Sequence, residues 1–455
     1  MTSLSDDLDD VHPVRAKTSV GLAVALTVPG LVVRFADLHL ADPLEALLFG
    51  LSIVGAAFML SWAAEVAQLD ISAGLAIAIL ALIAVLPEYA VDFVFAAEGG
   101  RSFKETGPAC RPLDGGTGES PCSLALANMT GANRLLIGIG WTMVVFVAIY
   151  RLRSKGILAK GERWEGVRLD REHSIEIAYL AVATLYSLTL PLKHSVTLVD
   201  AAVLVTIFVL YSIRVSRAPA EEPHLVGPAR YLGTFADAPR RATLIGMGVF
   251  AGAVILLCAE HFAEALVATG ESLNVSEFLL VQWVAPLASE APELLVAGLY
   301  AWRLNTNAAL GTLVSSKVNQ WTLLVGTLPI VFAVAAGGLH GLPLDDVQRE
   351  EVFLTAAQSV FAVAVISNLS MSLREAGFLF GLFWAQFILG AVVPENLHGV
   401  ERIGVGIVYL VLAAWVLLGN RSQLRALLRD GFRASYDELA GERAIDAARE
   451  RGELP

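Results

Sequence analysis

A chain of 455 residues with 56% hydrophobic and only 17% charged residues is not an ordinary soluble protein, because soluble domains run near roughly 45–50% apolar and about 25% charged. The mean hydropathy of +0.63 places it among polytopic membrane proteins. Its net charge of −12 says little about partners, since the acids gather in the tails and loops, and no folded domain is left over to offer nucleic acid a basic face.

Residues 1–17 form a polar, acidic tail. The first apolar run, 18–36, lacks a small-residue cleavage site and is expected to be an uncleaved extra span. Runs at 43–64 and 71–97 follow, then a Gly- and Pro-rich loop, 98–121, expected to be irregular. Cys110 and Cys122 share that loop. A disulfide in an oxidising compartment and two free thiols both remain open for them. Further runs lie at 123–150, 175–192 and 196–213, and a polar linker, 214–242, precedes 243–268, 276–301, 308–336, 351–369, 374–393 and 402–419. Cys258, inside a run, reads as a packing residue. The tail 420–455 has a helical stripe of apolar residues, which either lies on the membrane face or belongs to a solvated appendage.

In hydrocarbon only helices or closed barrels satisfy the backbone, and these runs are continuous, not alternating. The expected fold is an all-α membrane protein with about 12 transmembrane helices. With the N-terminus inside and every run crossing, Lys and Arg divide 23 inside to 6 outside, with Arg34, Arg134 and Lys317 within or at the ends of spans. That asymmetry predicts cytoplasmic N- and C-termini in a cell (plasma or inner) membrane.

Two runs repeat one another. ALIAVLPEYAVDFVFA at 81–96 and APLASEAPELLVAGLYA at 285–301 each carry a Pro-Glu pair, Pro87-Glu88 and Pro292-Glu293. Proline frees backbone carbonyls, and an acid inside a span marks a functional site by default. The helices before them also match, SWAAEVAQLD at 61–70 against LLCAEHFAEAL at 256–266. The chain therefore divides into a first repeat, 43–213, and a second, 243–393, of five spans each, with one extra helix at either end, 18–36 and 402–419. An odd number of spans per unit inserts the two repeats in opposite directions.

The chemistry follows from the duplicated acids. Asp92 lies one turn beyond Glu88, and Glu290 three residues before Glu293, so each pair shares a helix face. Four carboxyls meeting near the bilayer midplane suit a hard cation, calcium above all, which binds oxygen ligands, and they take protons in competition with it. Packing alone accounts poorly for a costly pair that occurs twice. The next spans are polar as well: LALANMTGANRLLIGIGW at 124–141 aligns with LGTLVSSKVNQWTLLVG at 310–326, so that Asn128 meets Thr312, Gly131 meets Ser315, Ala132 meets Ser316 and Asn133 meets Lys317. Small residues let helices approach closely.

These segments, 71–150 and 275–336, resemble the two alpha repeats of the calcium/cation antiporter superfamily, which includes the sodium/calcium exchangers. The resemblance implies that Glu88 and Glu293 are the central cation ligands. It implies Asn128 and Asn133 as site amides of the first repeat, with Thr312, Ser315 and Ser316 as their counterparts. It also brings a fold that works by alternating access. The chain departs from the family pattern in two places. The Gly-Thr-Ser usual before the Pro-Glu is replaced by Ile83-Ala84-Val85 and by Ala288-Ser289-Glu290, and Lys317 stands where a neutral Asn is expected. A lysine there acts as a tethered cation, expected to pair with Glu293, Glu290 or Glu88 and to set proton coupling. Arg134 faces either lipid headgroups or another acid. Glu65 and Glu260, matched in the preceding helices, either relay protons along the route or snorkel at helix ends, and His261 beside Glu260 reads as a packing or interfacial residue.

The sequence thus reads as a secondary transporter exchanging Ca2+ or Na+ against H+ or Na+ by alternating access. Its partners are inorganic cations and the lipid bilayer, and no cofactor is implied. A cation channel is the alternative. A membrane-embedded enzyme ranks lower, because no His-Glu-x-x-His run or Gly-x-Ser-x-Gly elbow is present.

Overall fold

Each apolar run must satisfy its own backbone, and helix is the outcome almost everywhere. The computed structural model describes residues 13–439 apart from 68, 71–85, 114–118, 160–161, 163, 218–224, 226, 274–276 and 437. Part of the expected third run (71–85), the tail segments 1–12 and 440–455, and parts of the linker lie outside the described residues. The helices are α1 (Pro13–Phe35), α2 (Asp42–Ala67), α3 (Leu86–Thr106), α4 (Pro121–Ser154), α5 (Ser174–Ser187), α6 (Leu198–Val215), α7 (Pro228–Gly233), α8 (Asp237–Leu273), α9 (Glu277–Trp302), α10 (Thr306–Ala336), α11 (Asp346–Val365), α12 (Leu373–Val392), α13 (His398–Gly419) and α14 (Arg421–Arg433).

Among the described residues, ten helices are long and apolar enough to cross a membrane. They correspond to ten of the twelve expected runs. Run 71–97 is described only from Leu86, and run 374–393 corresponds to helix α12. Large apolar side chains remain exposed along α8, α12 and α13, among them Val249, Leu256, Phe378, Val411 and Trp415. Bare apolar flanks of this kind are what a bilayer covers.

Two expectations need correction. The segment 98–121 is not irregular throughout: α3 continues to Thr106 and a 3-10 turn follows to Ala109. A disulfide then joins Cys110 to Cys122, so the open choice between bridge and free thiols resolves to the bridge. The described start of the amphipathic tail, α14, packs on α5. Arg171 pairs with Asp430 at 2.7 Å, Phe432 meets the Tyr179 ring, and Gly431 sits against Ser174 and Ala178. Within α14, Leu427 and Gly431 are buried by this contact, while Phe432 stays partly exposed.

The described part also contains four two-residue strands, β1 (Val167–Arg168), β2 (Ser195–Val196), β3 (Leu342–Pro343) and β4 (Ser370–Met371). They fall at matching places. β1 precedes α5 as β3 precedes α11, and β2 precedes α6 as β4 precedes α12. β1 pairs antiparallel with β4, and β2 with β3. Capping boxes start both helices that follow β2 and β4, Thr197 with Asp200 and Ser372 with Glu375. The duplication read from the acids therefore extends into the turns.

α4 and α10 share a further device. Each is interrupted by a π-helical segment, Leu136–Trp141 in α4 and Gln320–Leu324 in α10. These begin at aligned positions of the repeat, 184 residues apart by subtraction of Leu136 from Gln320. Such wide turns are frequent at functional sites.

Candidate cation site

Pro286 and Pro292 lie inside α9, where the missing N–H of each leaves a carbonyl four residues back without its ladder bond. For Pro286 that carbonyl is Gln282 O, and it points at α4. A Cβ on Gly131 would lie only 1.6 Å from Gln282 O, so the helices can meet this closely only with glycine there. The contact brings the Pro-Glu helix of the second repeat against the polar helix of the first.

Glu88 on α3 and Glu290 and Glu293 on α9 then converge. One carboxylate oxygen from each lies within 4.8 Å of the others. Glu88 and Glu290 are buried and Glu293 is half-buried. Oε2 of all three has no hydrogen-bond donor among the described residues. Oxygen ligands sit about 2.3–2.6 Å from a calcium ion, so partners around one ion are up to about 5 Å apart. The spacing of the trio fits that requirement, and three carboxylates so close need a cation or protons among them to offset their repulsion.

The surrounding side chains divide between the trio and the helices. Asp92 is buried and outside the trio, accepting from Asn128 Nδ2 at 2.8 Å, while its own Oδ2 and Asn128 Oδ1 lack donors. Gln320, at the start of the π segment, donates to Glu290. Ser316 is buried with its hydroxyl toward Glu293. Asn133 donates to Met129 O at 2.9 Å. Among the described residues, the fully buried Lys317 hydrogen-bonds to no carboxylate, contrary to the expectation. Its ammonium donates to Asn133 Oδ1 at 2.7 Å and to Asn133 O, 5.7 Å from the centre of the Trp321 ring. Glu290 is the acid its charge acts on at longer range. Two positions aligned by the repeat, Asn133 and Lys317, thus touch each other directly.

Other expected members do not join. Thr312 is exposed and donates to Ala308 O of its own helix at 2.9 Å. Ser315 faces α6, where Tyr211 donates to its hydroxyl at 3.4 Å. Ser316, Lys317 and Gln320 occupy the face of α10 that looks at the trio; Ser315 lies to one side of it, and Thr312, on the same face as Ser316, lies one turn earlier along the helix. Glu65 is half-buried on α2 beside Tyr300, whereas Glu260 is exposed on α8, so the matched pair does not form one relay. His261 packs on the Phe49 ring.

The family described as sodium/calcium exchanger protein matches residues 44–216 and 243–417. The chain belongs to this family. Among solved structures it is similar to the H+/Ca2+ exchanger CAX, with 39% identity, a TM-score of 0.80 and 91% of this chain and 98% of that one covered. It is also similar to YfkE, with 13% identity, a TM-score of 0.54 and 87% and 100% covered, a likeness of fold. A comparison with curated proteins gives no match. The exchanger family's members are transporters of inorganic cations in membranes, not enzymes.

In this exchanger Gln320 is a site neighbour that the sequence reading passed over. The signal was present in the run Ser315-Ser316-Lys317-Val318-Asn319-Gln320, an unusually polar stretch for a span. What it lacked was a way to choose which of those side chains face inward.

Proposed function

We propose that the chain is a secondary antiporter that moves Ca2+ against H+ through the Glu88, Glu290 and Glu293 trio. The observation that carries this reading is the three buried or half-buried carboxylates within 4.8 Å, each with a donor-free oxygen. The 39% identity to an H+/Ca2+ exchanger supports the choice of ions. Lys317 supports the proton as coupling ion: its ammonium already occupies the oxygens of Asn133, leaving that amide unable to receive a sodium ion. Asn128 and Asp92 carry buried oxygens without a donor, which support them as further ligands.

In the same reading, repeats 43–213 and 243–393 are inserted in opposite directions and exchange access to the trio between the two membrane faces. The crossed pairing of β1 with β4 and β2 with β3 supports a two-fold relation between them. The cytoplasmic face holds both termini and segments 151–174 and 214–242, following the Lys and Arg asymmetry. The Cys110–Cys122 disulfide accords with an external, oxidising position for its loop.

Calcium uptake into sealed proteoliposomes tests the function. An imposed pH gradient is expected to drive it, and an imposed sodium gradient is not. Uptake driven by sodium alone, or conduction without trans-acceleration by the counter-ion, overturns the reading. For orientation, single cysteines at 155 and 105 in a Cys-free background are labelled from outside whole cells. Only the one at 105 is expected to react.

A further inference from the structure

Arg134 follows Asn133 directly, yet its side chain leaves the trio behind. It is 2% exposed. Its guanidinium donates to Glu351 Oε2 on α11 at 2.8 Å and to Gln386 on α12, and lies 5.2 Å from the centre of the Trp283 ring on α9. Glu351 is shared further. It accepts from Gln282 on α9 at 2.9 Å and from Arg402 on α13 at 2.8 Å, and Arg402 also reaches Glu350 at 3.0 Å. Five helices, α4, α9, α11, α12 and α13, therefore meet on one buried network. Arg134 and Arg402 face Glu350 and Glu351, with Glu401 at the border beside Gln386, so the network leaves no net positive charge to repel a cation.

Burying that many charges adds little net stability, because desolvation offsets attraction. What a planar fork does well is to hold direction: its donors engage several acceptors in one fixed geometry. Two of these helices belong to the site: α9 bears Glu290 and Glu293, and α4 bears Asn128 and Asn133. Gln282 and Trp283 lie on α9 two turns before Glu290, and Gln282 also donates to Thr130 on α4 at 3.3 Å. The arrangement is one-sided. At the repeat spacing that aligns Asn133 with Lys317, Arg134 aligns with Val318. At the spacing that aligns β1 with β3, Glu351 aligns with Glu176, which instead lies 3.7 Å from His173.

We propose that Arg134 is a positioning residue. Through Glu351, Gln386 and Trp283 it fixes α4 and α9 against α11–α13, and so sets the distance from Asn133 and Lys317 to Glu290 and Glu293 that governs cation affinity. The inference rests on the trio being the cation site. Glu293→Gln in the same vesicles tests that premise separately: unaltered transport by that variant removes the site and overturns the inference with it.

The experiment measures half-saturating Ca2+ and maximal rate for the full chain in proteoliposomes. Arg134→Lys keeps the charge and loses the fork. Gln282→Met removes a neutral arm at similar volume. Each is expected to raise half-saturating Ca2+ by about tenfold, with a combined effect smaller than the product because both act through Glu351. Maximal rate is expected to stay within about twofold. Should Arg134→Lys fail to fold, Gln282→Met alone decides. Folded variants with unchanged half-saturating Ca2+, even at lower yield or melting temperature, overturn the positioning role and leave Arg134 a packing residue.

Discussion

The two polar helices beside the trio, α4 and α10, have the same break in the same place and opposite chemistry. Both turn π-helical at aligned positions. At one aligned pair the first offers an amide, Asn133, and the second an ammonium, Lys317; at the next, the first offers Arg134 and the second Val318. The Pro-Glu helices differ as well. α3 brings one acid to the trio and lends Asp92 to Asn128, whereas α9 brings two. Duplication has kept the backbone device and let the charges diverge. A symmetric scaffold can move a site between two faces, but only an asymmetric set of charges leaves it with a definite balance: three carboxylates in the trio and one tethered cation beside Glu290.

The largest expected effect comes from removing the acids that the halves share. Glu88→Gln and Glu293→Gln are each expected to abolish calcium uptake to the level of empty vesicles while the purified protein stays monodisperse. If one variant transports normally, the halves do not contribute equivalent ligands and the trio is not the site.

Next comes the point where the halves differ. Lys317→Met leaves the buried Oδ1 of Asn133 without its donor, costing about 1–3 kcal/mol for the unsatisfied group, so a clear drop in melting temperature is expected. Lys317→Asn makes α10 resemble α4. It is expected to weaken the pH dependence of exchange and to let a sodium gradient drive calcium uptake. An unchanged pH profile and ion preference in Lys317→Asn makes the lysine a bystander.

The smallest effect concerns the ends of α2 and α8, the matched first helices of the two repeats. Arg240 holds Asp70 in a two-point contact at 2.7 and 2.9 Å, and Arg241 adds a third at 2.9 Å. The Arg240 guanidinium, with Arg241 in support, holds the carboxyl down at about 2. Because the folded value is depressed, the stabilisation is complete above the ordinary carboxylate value of about 3.9, and fades only as pH falls toward 2. Asp70→Asn is therefore expected to lower the melting temperature by the same amount at pH 5 and pH 8. A difference between those values assigns the contact to some other titrating group.

Much was legible before any coordinates. Membrane class, the approximate spans and the repeat follow from run length and from the recurrence of Pro-Glu, because hydrocarbon leaves the backbone few options. The candidate acids follow too, since an intramembrane carboxyl is costly wherever it occurs. Helix faces were less legible. Thr312 and Ser315 share a regular helix with Ser316, and spacing alone puts Thr312 and Ser316 on one face; the depth at which the partner helices cross decides which of them sees the trio. Long-range partners were not legible at all. Nothing in the run around Arg134 points to Glu351, 217 residues away, and nothing in Lys317 points to Asn133 in preference to an acid.

The sequence by itself determined which segments are apolar enough to cross a membrane and which groups are too costly to be incidental, because both depend on local composition and on the solvent around each segment. Only the tertiary structure decided which of those groups meet. Close approach at Gly131, the disulfide, the docked tail and the choice of Asn133 as partner to Lys317 depend on which surfaces of distant helices come into contact. A charge buried without water takes whatever partner the packing supplies.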